Sequence, residues 1–326
     1  RMKLLIEKTE LNHKEITWII CTNRLGMRLT LCSFGASIYE WFYEKPMTLS
    51  PLDRNTFLTT TRYYGKTVGR VCGRLKNAEY ELDGKIYKVD VNENSNCLHG
   101  GKDGFAFQNF QYEVKEESDR TVVTFTYYSK DGEGGFNGNM KITATYTILD
   151  NQLEFTSIYS VTSDQDTLVN ITSHPYFMMD GGEARMADHL ITIPSSIYLP
   201  IDHEKIILGA EKVTPYFDFR QKRTLGQNGK IPFEYDHDWV LDQDYEGPAF
   251  MLSNPEQTRT MLIYSNAPMV HLYDENEAED IPLTTGKQNV PYTSLAVEFK
   301  KNPLESMRIK AFETQTMWIR YVLEVK

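Results

Sequence analysis

The stretch that decides the fold is residues 141–148 (KITATYTI), where Ile142, Ala144, Tyr146 and Ile148 alternate with polar residues. An alternation of period two places successive side chains on opposite faces of a β-strand. β-Branched and aromatic residues also suit a pleated surface that is buried on one side. The stretch therefore predicts a strand with one face in the core and a row of threonines on the other.

The same alternation recurs in residues 27–32 (MRLTLC) and residues 123–127 (VTFTY). Turn residues separate such runs: the Asp-Gly pair at residues 83–84 is a strong hairpin signal, and an Asp-Asn pair follows residue 149. Long stretches with helical spacing and repeats of fixed period are absent. We therefore predict a mainly β protein, a large antiparallel β-sandwich of two packed sheets, with residues 1–326 forming one domain.

The composition limits the partners of the chain. A net charge of −10 over 326 residues opposes binding to a nucleic-acid backbone, and no basic cluster offsets it. The same acidity gives no reason to expect contact with anionic membranes, and no apolar run approaches the roughly 18 residues that span a bilayer. The N-terminus is charged and shows no signal segment. We expect a cytoplasmic monomer or homodimer without nucleic-acid or membrane partners.

Motifs of several enzyme classes are missing. The glycine-rich residues 131–138 (DGEGGFNG) lack the spacing of a nucleotide-binding loop and precede a predicted strand, which indicates a surface turn. No GxSxG, HExxH or HxH motif occurs, so a serine nucleophile and a metal site are not expected. No CxxC pair occurs either, and we expect reduced thiols at all four cysteines, which are Cys21, Cys32, Cys72 and Cys97.

Two titratable residues lie in motifs suited to acid–base chemistry. His174 lies in residues 170–177 (NITSHPYF), a polar segment followed by aromatic residues, and an imidazole exchanges protons near neutral pH. Glu298 ends the apolar residues 294–298 (SLAVE), where partial burial makes a carboxylate a stronger base. Each has a structural alternative, an inert buried histidine and a solvent-facing glutamate at a sheet edge.

Three further residues could contact a polar ligand. His99 precedes two glycines and is either a hydrogen-bond donor at the rim of a cleft or an exposed residue in a turn. Asp236 could accept hydrogen bonds from two sugar hydroxyls or lie in a surface loop, and the nearby Trp239 favours a core position. Arg70 and Arg74, four residues apart, could clamp a ligand or make one surface salt bridge each.

Taken together, these motifs resemble those of the aldose 1-epimerase (galactose mutarotase) family. Residues 96–105 (NCLHGGKDGF) are similar to its Asn-x-Leu-His-Gly-Gly-x-x-Gly-Phe segment, and residues 170–177 to its Asn-Leu-Thr-x-His-x-Tyr-Phe segment. Residues 235–241 (YDHDWVL) resemble its Tyr-Asp-His-Asn-Phe-Val-Leu segment. The matches keep the family's order from about residue 25 to residue 325, and the others lie at residues 65–74, 129–139, 214–220 and 295–298.

The resemblance implies a galactose mutarotase-like supersandwich with an open sugar cleft. It also implies an enzyme that interconverts the α and β anomers of a free aldohexose such as galactose or glucose. In the family's pattern, His174 would be the general acid and Glu298 the general base. Arg74, His99 and Asp236 would hold hydroxyl groups of the sugar substrate, and neither a cofactor nor a metal would be needed.

The chain departs from the family's pattern near these residues. Gly73 stands where Asn is usual, Lys300 stands where Gln is usual, and His271 stands near a position often held by Gln. These departures leave the choice of sugar open.

Three alternatives to a monosaccharide epimerase therefore remain. One is an epimerase of a phosphorylated or disaccharide sugar, the second is a non-catalytic carbohydrate-binding protein, and the third is a metal-dependent hydrolase. The presence of both His174 and Glu298 favours catalysis over binding alone. Candidate cations for a phosphate group are Arg62, Lys66, Arg70 and Lys300.

Overall fold

The computed structural model describes residues 2–227 and 234–326. The predominant element is the β-strand, and the single α-helix of this part of the chain, α1, is the short segment Arg54–Thr59. No helix within these residues has the length and apolar character needed to cross a membrane. The prediction of a mainly β protein is confirmed. Single 3₁₀ turns lie at Lys76–Ala78, Phe105–Phe107, Glu133–Gly135 and Met186–Asp188.

The strands are numbered along the chain. The first fourteen are β1 Lys3–Leu11, β2 Lys14–Thr22, β3 Arg28–Cys32, β4 Ser37–Tyr43, β5 Lys45–Pro46, β6 Thr67–Val68, β7 Arg74–Leu75, β8 Glu79–Leu82, β9 Lys85–Lys88, β10 Cys97–Leu98, β11 Gln111–Glu116, β12 Arg120–Ser129, β13 Met140–Leu149 and β14 Glu154–Ser163. The others are β15 Thr167–Leu168, β16 Thr172–Ser173, β17 Tyr176–Phe177, β18 Leu190–Thr192, β19 Ile197–Leu199, β20 Glu211–Lys212, β21 Arg223–Thr224, β22 Asp236–Val240, β23 Phe250–Ser253, β24 Arg259–Ser265, β25 Met269–Tyr273, β26 Leu295–Lys300, β27 Arg308–Ile309 and β28 Thr314–Val325.

Three large sheets carry most of these strands. One sheet has nine strands in the order β11-β12-β13-β14-β28-β24-β23-β18-β21. Another has six strands in the order β17-β26-β25-β22-β19-β20, and the first five strands form a third sheet in chain order. Neighbouring strands in these sheets run antiparallel. The prediction of large antiparallel sheets is therefore confirmed, but the described residues form three large sheets rather than the two that were predicted.

Strand β13 has the two faces that its alternation predicts. Ile142, Ala144, Tyr146 and Ile148 are fully buried, whereas the threonines between them are half-buried. The Tyr146 hydroxyl donates a hydrogen bond to the Ala36 carbonyl at 2.7 Å, which links the nine-stranded sheet to the chain just before β4. Each fully buried large apolar side chain stabilises the fold by about 1.5–3 kcal/mol.

An aromatic cluster joins the three large sheets. Trp41 of β4 packs edge-on against Phe155 of β14, with ring centroids 5.1 Å apart, and against Phe177 of β17 at 6.5 Å. Trp239 of β22 is also fully buried, and its indole N–H donates to the Phe217 carbonyl at 2.8 Å, so it is a core residue as expected. The sheets thus share one core, although the assignment of residues 1–326 to one domain stays a prediction.

The predicted turns are present. Asp83 and Gly84 connect β8 and β9 with φ angles of 51° and 80°, the left-handed conformation that a tight two-residue hairpin needs. Residues 131–138 form a turn that leads into β13, as predicted. The four cysteines are free thiols and are buried.

Candidate active site

A cavity of about 1050 Å³ opens beside the six-stranded sheet. Its lining includes all five residues that the sequence nominated for the site, and they come from distant parts of the chain. Arg74 lies on β7, His99 follows β10, His174 follows β16, Asp236 begins β22 and Glu298 lies on β26. The fold therefore brings these five side chains to one cavity.

His174 and Glu298 are in direct contact at the floor of this cavity. The distance from His174 Nε2 to Glu298 Oε2 is 3.4 Å, and both side chains are almost fully buried. Glu298 lies inside strand β26 rather than at a solvent-facing edge, so the alternative of an exposed glutamate is wrong. Two backbone hydrogen bonds hold the histidine: its N–H donates to Lys66 O, and its carbonyl accepts from Gly65 N–H, each at 2.9 Å.

The surroundings of His174 change its affinity for a proton. Burial lowers the pKa of the imidazole, because a charged ring would lose its hydration. The Glu298 carboxylate acts in the opposite direction, and the positive charge of His271 adds to the lowering. His174 is thus neutral for a larger part of the pH range than an exposed histidine.

His99 lies at the same cavity with a defined tautomer. Its Nδ1 accepts a hydrogen bond from Gly73 N–H at 3.0 Å, so the proton of the neutral ring is on Nε2, where it can be donated. Burial lowers the pKa of His99 well below its usual value and keeps the ring neutral. The following Gly100 passes so close to Gly69 that a Cβ would lie 2.0 Å from the Gly69 carbonyl oxygen. Of the two sequence interpretations, the cleft position is correct.

His99, His174 and Glu298 also have the residue types of a metal site. One donor atom from each residue lies within 4.8 Å of the others. A metal ion needs a free lone pair on the imidazole, but the Nδ1 lone pair of His99 accepts the Gly73 amide and its Nε2 carries the proton. The donor set therefore fits a divalent cation poorly.

Arg74 and Arg70 have different environments. Arg74 lines the cavity and is paired with Glu93, whose carboxylate accepts from Nε and, at 3.1 Å, from Nη2. Arg70 is buried away from the cavity, and its guanidinium donates to the carbonyls of Asn137 and Gly138, each at 2.7 Å. Neither of the two sequence alternatives for Arg70, a ligand clamp or a surface salt bridge, is correct, because its buried donors hold the turn before β13.

Asp236 has both carboxylate oxygens engaged. Oδ1 lies 2.7 Å from His271 Nε2, and Oδ2 lies 2.8 Å from Lys205 Nζ. Burial alone would raise the pKa of Asp236, but His271 and Lys205 lower it below the usual value. Asp236 is therefore an ionised group at the cavity, and each oxygen keeps a lone pair for a ligand hydroxyl.

The three departures from the family's pattern lie side by side around Asp238. Lys300 Nζ is 3.3 Å and His271 Nδ1 is 3.0 Å from Asp238 Oδ1. A Cβ on Gly73 would lie 3.2 Å from Lys300 Nζ, so the glycine leaves room for the lysine. These residues form a compensated cluster of charges beside Glu298.

The cations nominated for a phosphate group are engaged elsewhere or buried. Lys66 is fully buried, with Nζ 3.9 Å from the centroid of the Phe57 ring, and Arg70 holds the turn before β13. Lys300 is paired with Asp238, and Arg62 donates to the Glu277 carbonyl at 2.7 Å. The nominations of Lys66 and Arg70 are wrong, since neither lines the cavity.

The sequence did not reveal several residues of the cavity. Tyr63 packs against both candidate imidazoles, with its ring centroid 4.7 Å from His99 and 5.7 Å from His174. Lys205 reaches Asp236 from the loop after β19. The alternation of Asp236 and Asp238 places both on one face of β22, which is a sequence signal that Asp238 also belongs to this part of the site.

Comparison with known proteins identifies the family. A sequence model of the family described as aldose 1-epimerase matches residues 18–316. The chain is 27% identical over 297 residues to an aldose 1-epimerase of Haemophilus influenzae, covering 86% of this chain and 85% of that protein. It is also 27% identical over 314 residues to a maltose epimerase of Levilactobacillus brevis, covering 90% of this chain and 88% of that protein.

The fold has close counterparts among solved structures. The chain superposes on a galactose 1-epimerase from Lactobacillus acidophilus with a TM-score of 0.89 at 24% identity, covering 100% of this chain and 99% of that chain. This likeness confirms the predicted galactose mutarotase-like fold. Because the family model spans most of the sequence, from β2 to β28, the chain belongs to the aldose 1-epimerase family.

Proposed function

We propose that this protein is an aldose 1-epimerase (mutarotase) that interconverts the α and β anomers of a free aldohexose. The observation that carries the proposal is the 3.4 Å contact between His174 and Glu298 at a cavity large enough to hold a sugar. Anomer exchange moves protons on two oxygens that are bonded to the same carbon of the sugar. A proton donor and a proton acceptor that lie side by side match this requirement.

The proposed reaction has an opening half and a closing half. Glu298 takes the proton from the anomeric hydroxyl while the His174 imidazolium gives a proton to the ring oxygen. The bond between C1 and the ring oxygen breaks, and C1 becomes an aldehyde carbon. Rotation about the C1–C2 bond presents the other carbonyl face, and the reverse proton transfers close the ring and restore both residues. The reaction consumes no net protons or electrons, so it needs no cofactor.

The other three candidate residues are proposed to hold the sugar. Glu93 occupies the Nε and Nη2 atoms of Arg74, which leaves Nη1 as a donor toward the cavity. His99 can donate from Nε2, and Asp236 can accept from a hydroxyl group. These groups orient the sugar ring over His174 and Glu298, and such positioning of the substrate increases the reaction rate.

The charge balance of the site supports an unphosphorylated substrate. Among the residues that line the cavity, Lys205 faces Asp236, and Lys300 faces Asp238. Arg74 is likewise compensated by Glu93, so each of these three cations already faces a carboxylate. An uncharged sugar can bind there without the cost of desolvating an unpaired anion.

A disaccharide with a free reducing end is the second candidate. The cavity volume of about 1050 Å³ is at the upper limit of ordinary small-molecule sites and exceeds the need of one monosaccharide. A maltose epimerase is among the relatives of similar identity, which supports the same idea. In this alternative, the reducing sugar lies over His174 and Glu298, and the second sugar extends along the cavity.

Polarimetry with freshly dissolved sugars tests the proposal. We expect the purified chain to accelerate mutarotation of α-galactose, α-glucose or maltose, with glucose 6-phosphate as a poorer substrate. A chelator should leave the rate unchanged, in contrast to the expectation for a metal-dependent hydrolase. Sugar binding with no acceleration for any member of the panel would contradict the proposal and favour a carbohydrate-binding protein.

A further inference from the structure

His271 lies at the centre of the site because of its register in the six-stranded sheet. On β25, it pairs directly with Asp238 of β22 on one side and with Glu298 of β26 on the other. Directly opposite residues of antiparallel strands project from the same face and are near neighbours. The row Asp238–His271–Glu298 is therefore fixed by backbone pairing rather than by flexible side chains.

The hydrogen bonds of His271 define its protonation state. Nδ1 lies 3.0 Å from Asp238 Oδ1, and Nε2 lies 2.7 Å from Asp236 Oδ1. An ionised carboxylate only accepts hydrogen bonds, whereas a neutral imidazole has a single N–H to donate. Both contacts are satisfied together only when the ring is an imidazolium. Burial alone would lower the pKa of His271, but the carboxylates of Asp238, Glu298 and Asp236 raise it to about 10.

The same ring lies beside the reactive pair. Glu298 Oε2 is 3.4 Å from His174 Nε2 and 3.9 Å from His271 Nε2, so one carboxylate oxygen faces two imidazoles. A fixed positive charge on His271 opposes protonation of the second imidazole, His174.

We propose that His271 is a positioning residue, a permanent imidazolium that orients Asp236 toward the sugar, places a positive charge beside Glu298 and makes His174 ready to release its proton. The kinetic consequence rests on the proposed epimerase function, whereas the charge of His271 does not. This role assigns a purpose to a residue that the sequence singled out only as a departure from the family's pattern.

Charged and titratable groups face His271 from every element packed around it. The carboxylates that bind the ring also have other cations, since Lys300 is 3.3 Å from Asp238 and Lys205 is 2.8 Å from Asp236. Replacing His271 by a neutral residue therefore leaves neither carboxylate unpaired, and the variant should fold. The charged and titratable groups around His271 are Arg74, His99, His174, Lys205, Asp236, His237, Asp238, Tyr273, Glu298 and Lys300.

The pH profile of a His271→Gln variant tests the proposal. Glutamine keeps a donor for one carboxylate but removes the positive charge, so protonation becomes easier at His174. The falling limb of kcat/KM against pH, which reports the loss of the His174 imidazolium, should move to higher pH by about 1–3 units. The exposed His203→Gln variant should keep the wild-type profile. A purely structural role would lower the rate without moving this limb, and an unshifted falling limb in His271→Gln would overturn the proposal.

A second measurement does not depend on catalysis. Nitrogen-15 spectra of the wild-type protein labelled at its seven histidines report the protonation of each ring nitrogen, and the signal that is missing in the spectrum of His271→Gln identifies the residue. Both nitrogens of His271 should be protonated from pH 6 to pH 8.5. A neutral His271 at pH 7 would overturn the inference even if the protein is an epimerase. A charged His271 in a protein without epimerase activity would refute only the proposed function.

Discussion

Single residues carry the proposed chemistry, because anomer exchange requires one proton donor and one acceptor at neighbouring oxygens. His174 and Glu298 meet this requirement through burial and a 3.4 Å contact. Because an unpaired charge is costly to bury, each of these two side chains, when charged, is stabilised by the opposite charge of the other. The ionised pair, imidazolium beside carboxylate, is the form that can start the proposed reaction.

The pH dependence of the reaction follows from the proton on His174. Burial lowers the pKa of this imidazole below its ordinary value of 6.5, so the imidazolium fraction falls as the pH rises through that lowered value. We therefore expect kcat/KM of the wild-type protein to decline between pH 6 and pH 8 in buffered polarimetry, after subtraction of the uncatalysed rate. A rate that increases with pH over this interval would contradict His174 as the proton donor.

The sequence could predict five of the residues that line the site but not how they pair. His99, His174, Asp236, Arg74 and Glu298 were found from residue type and neighbouring residues, and the structure brings all five to one cavity. The partners of these groups depend on contacts between distant segments. Period-two alternation places a side chain on a face but does not fix which strand lies beside it.

At the scale of elements, strand register determines which side chains lie next to each other in the site. The pairing of β22 with β25 and of β25 with β26 aligns Asp238, His271 and Glu298 in one row. A shift of one residue in either pairing would move His271 to the opposite face of the sheet. The strands themselves were predictable, as the buried and half-buried rows of β13 show, because alternation is local information.

The turn between β12 and β13 depends on Arg70. The guanidinium donates hydrogen bonds to Asn137 O, Gly138 O and Ser129 Oγ at 2.7–2.9 Å. An Arg70→Met substitution leaves these acceptors without a charged donor, and we expect it to lower the free energy of unfolding by roughly 3–5 kcal/mol.

Urea denaturation measures this effect. The matched Arg62→Met variant, which loses one hydrogen bond at an exposed site, should lower the free energy of unfolding by less than about 1.5 kcal/mol. Equal stability of the two variants would contradict a structural role for Arg70.

At the scale of the whole molecule, Lys66 sets a pH dependence of stability. Its ammonium is fully buried over the rings of Phe57 and Phe34, and burial lowers the pKa of Lys66 from 10.5 to about 7. Below pH 7 the amine is charged in both the folded and the unfolded protein, so folding bears the full cost of burying the charge. Above pH 10.5 the amine is neutral in both states, and that cost disappears.

A Lys66→Met substitution should therefore raise the Tm clearly at pH 6 and much less near pH 10.5. Differential scanning calorimetry at the two pH values checks this, with the exposed Lys212→Met as the matched control. A Tm at pH 6 below that of the wild-type protein would show that the aromatic rings compensate the buried charge, contrary to this expectation.

The most direct test of the central claim is the rate of exchange between the α and β anomers of glucose or galactose at equilibrium, measured by magnetisation-transfer NMR. We expect the wild-type protein to accelerate the exchange, and Glu298→Gln and His174→Asn each to lose about 10²–10⁴-fold of that rate. The exposed Glu305→Gln and His13→Asn variants should keep the wild-type rate, and Tm values should confirm that all variants are folded. Wild-type exchange rates in folded Glu298→Gln and His174→Asn would contradict the proposed acid–base pair.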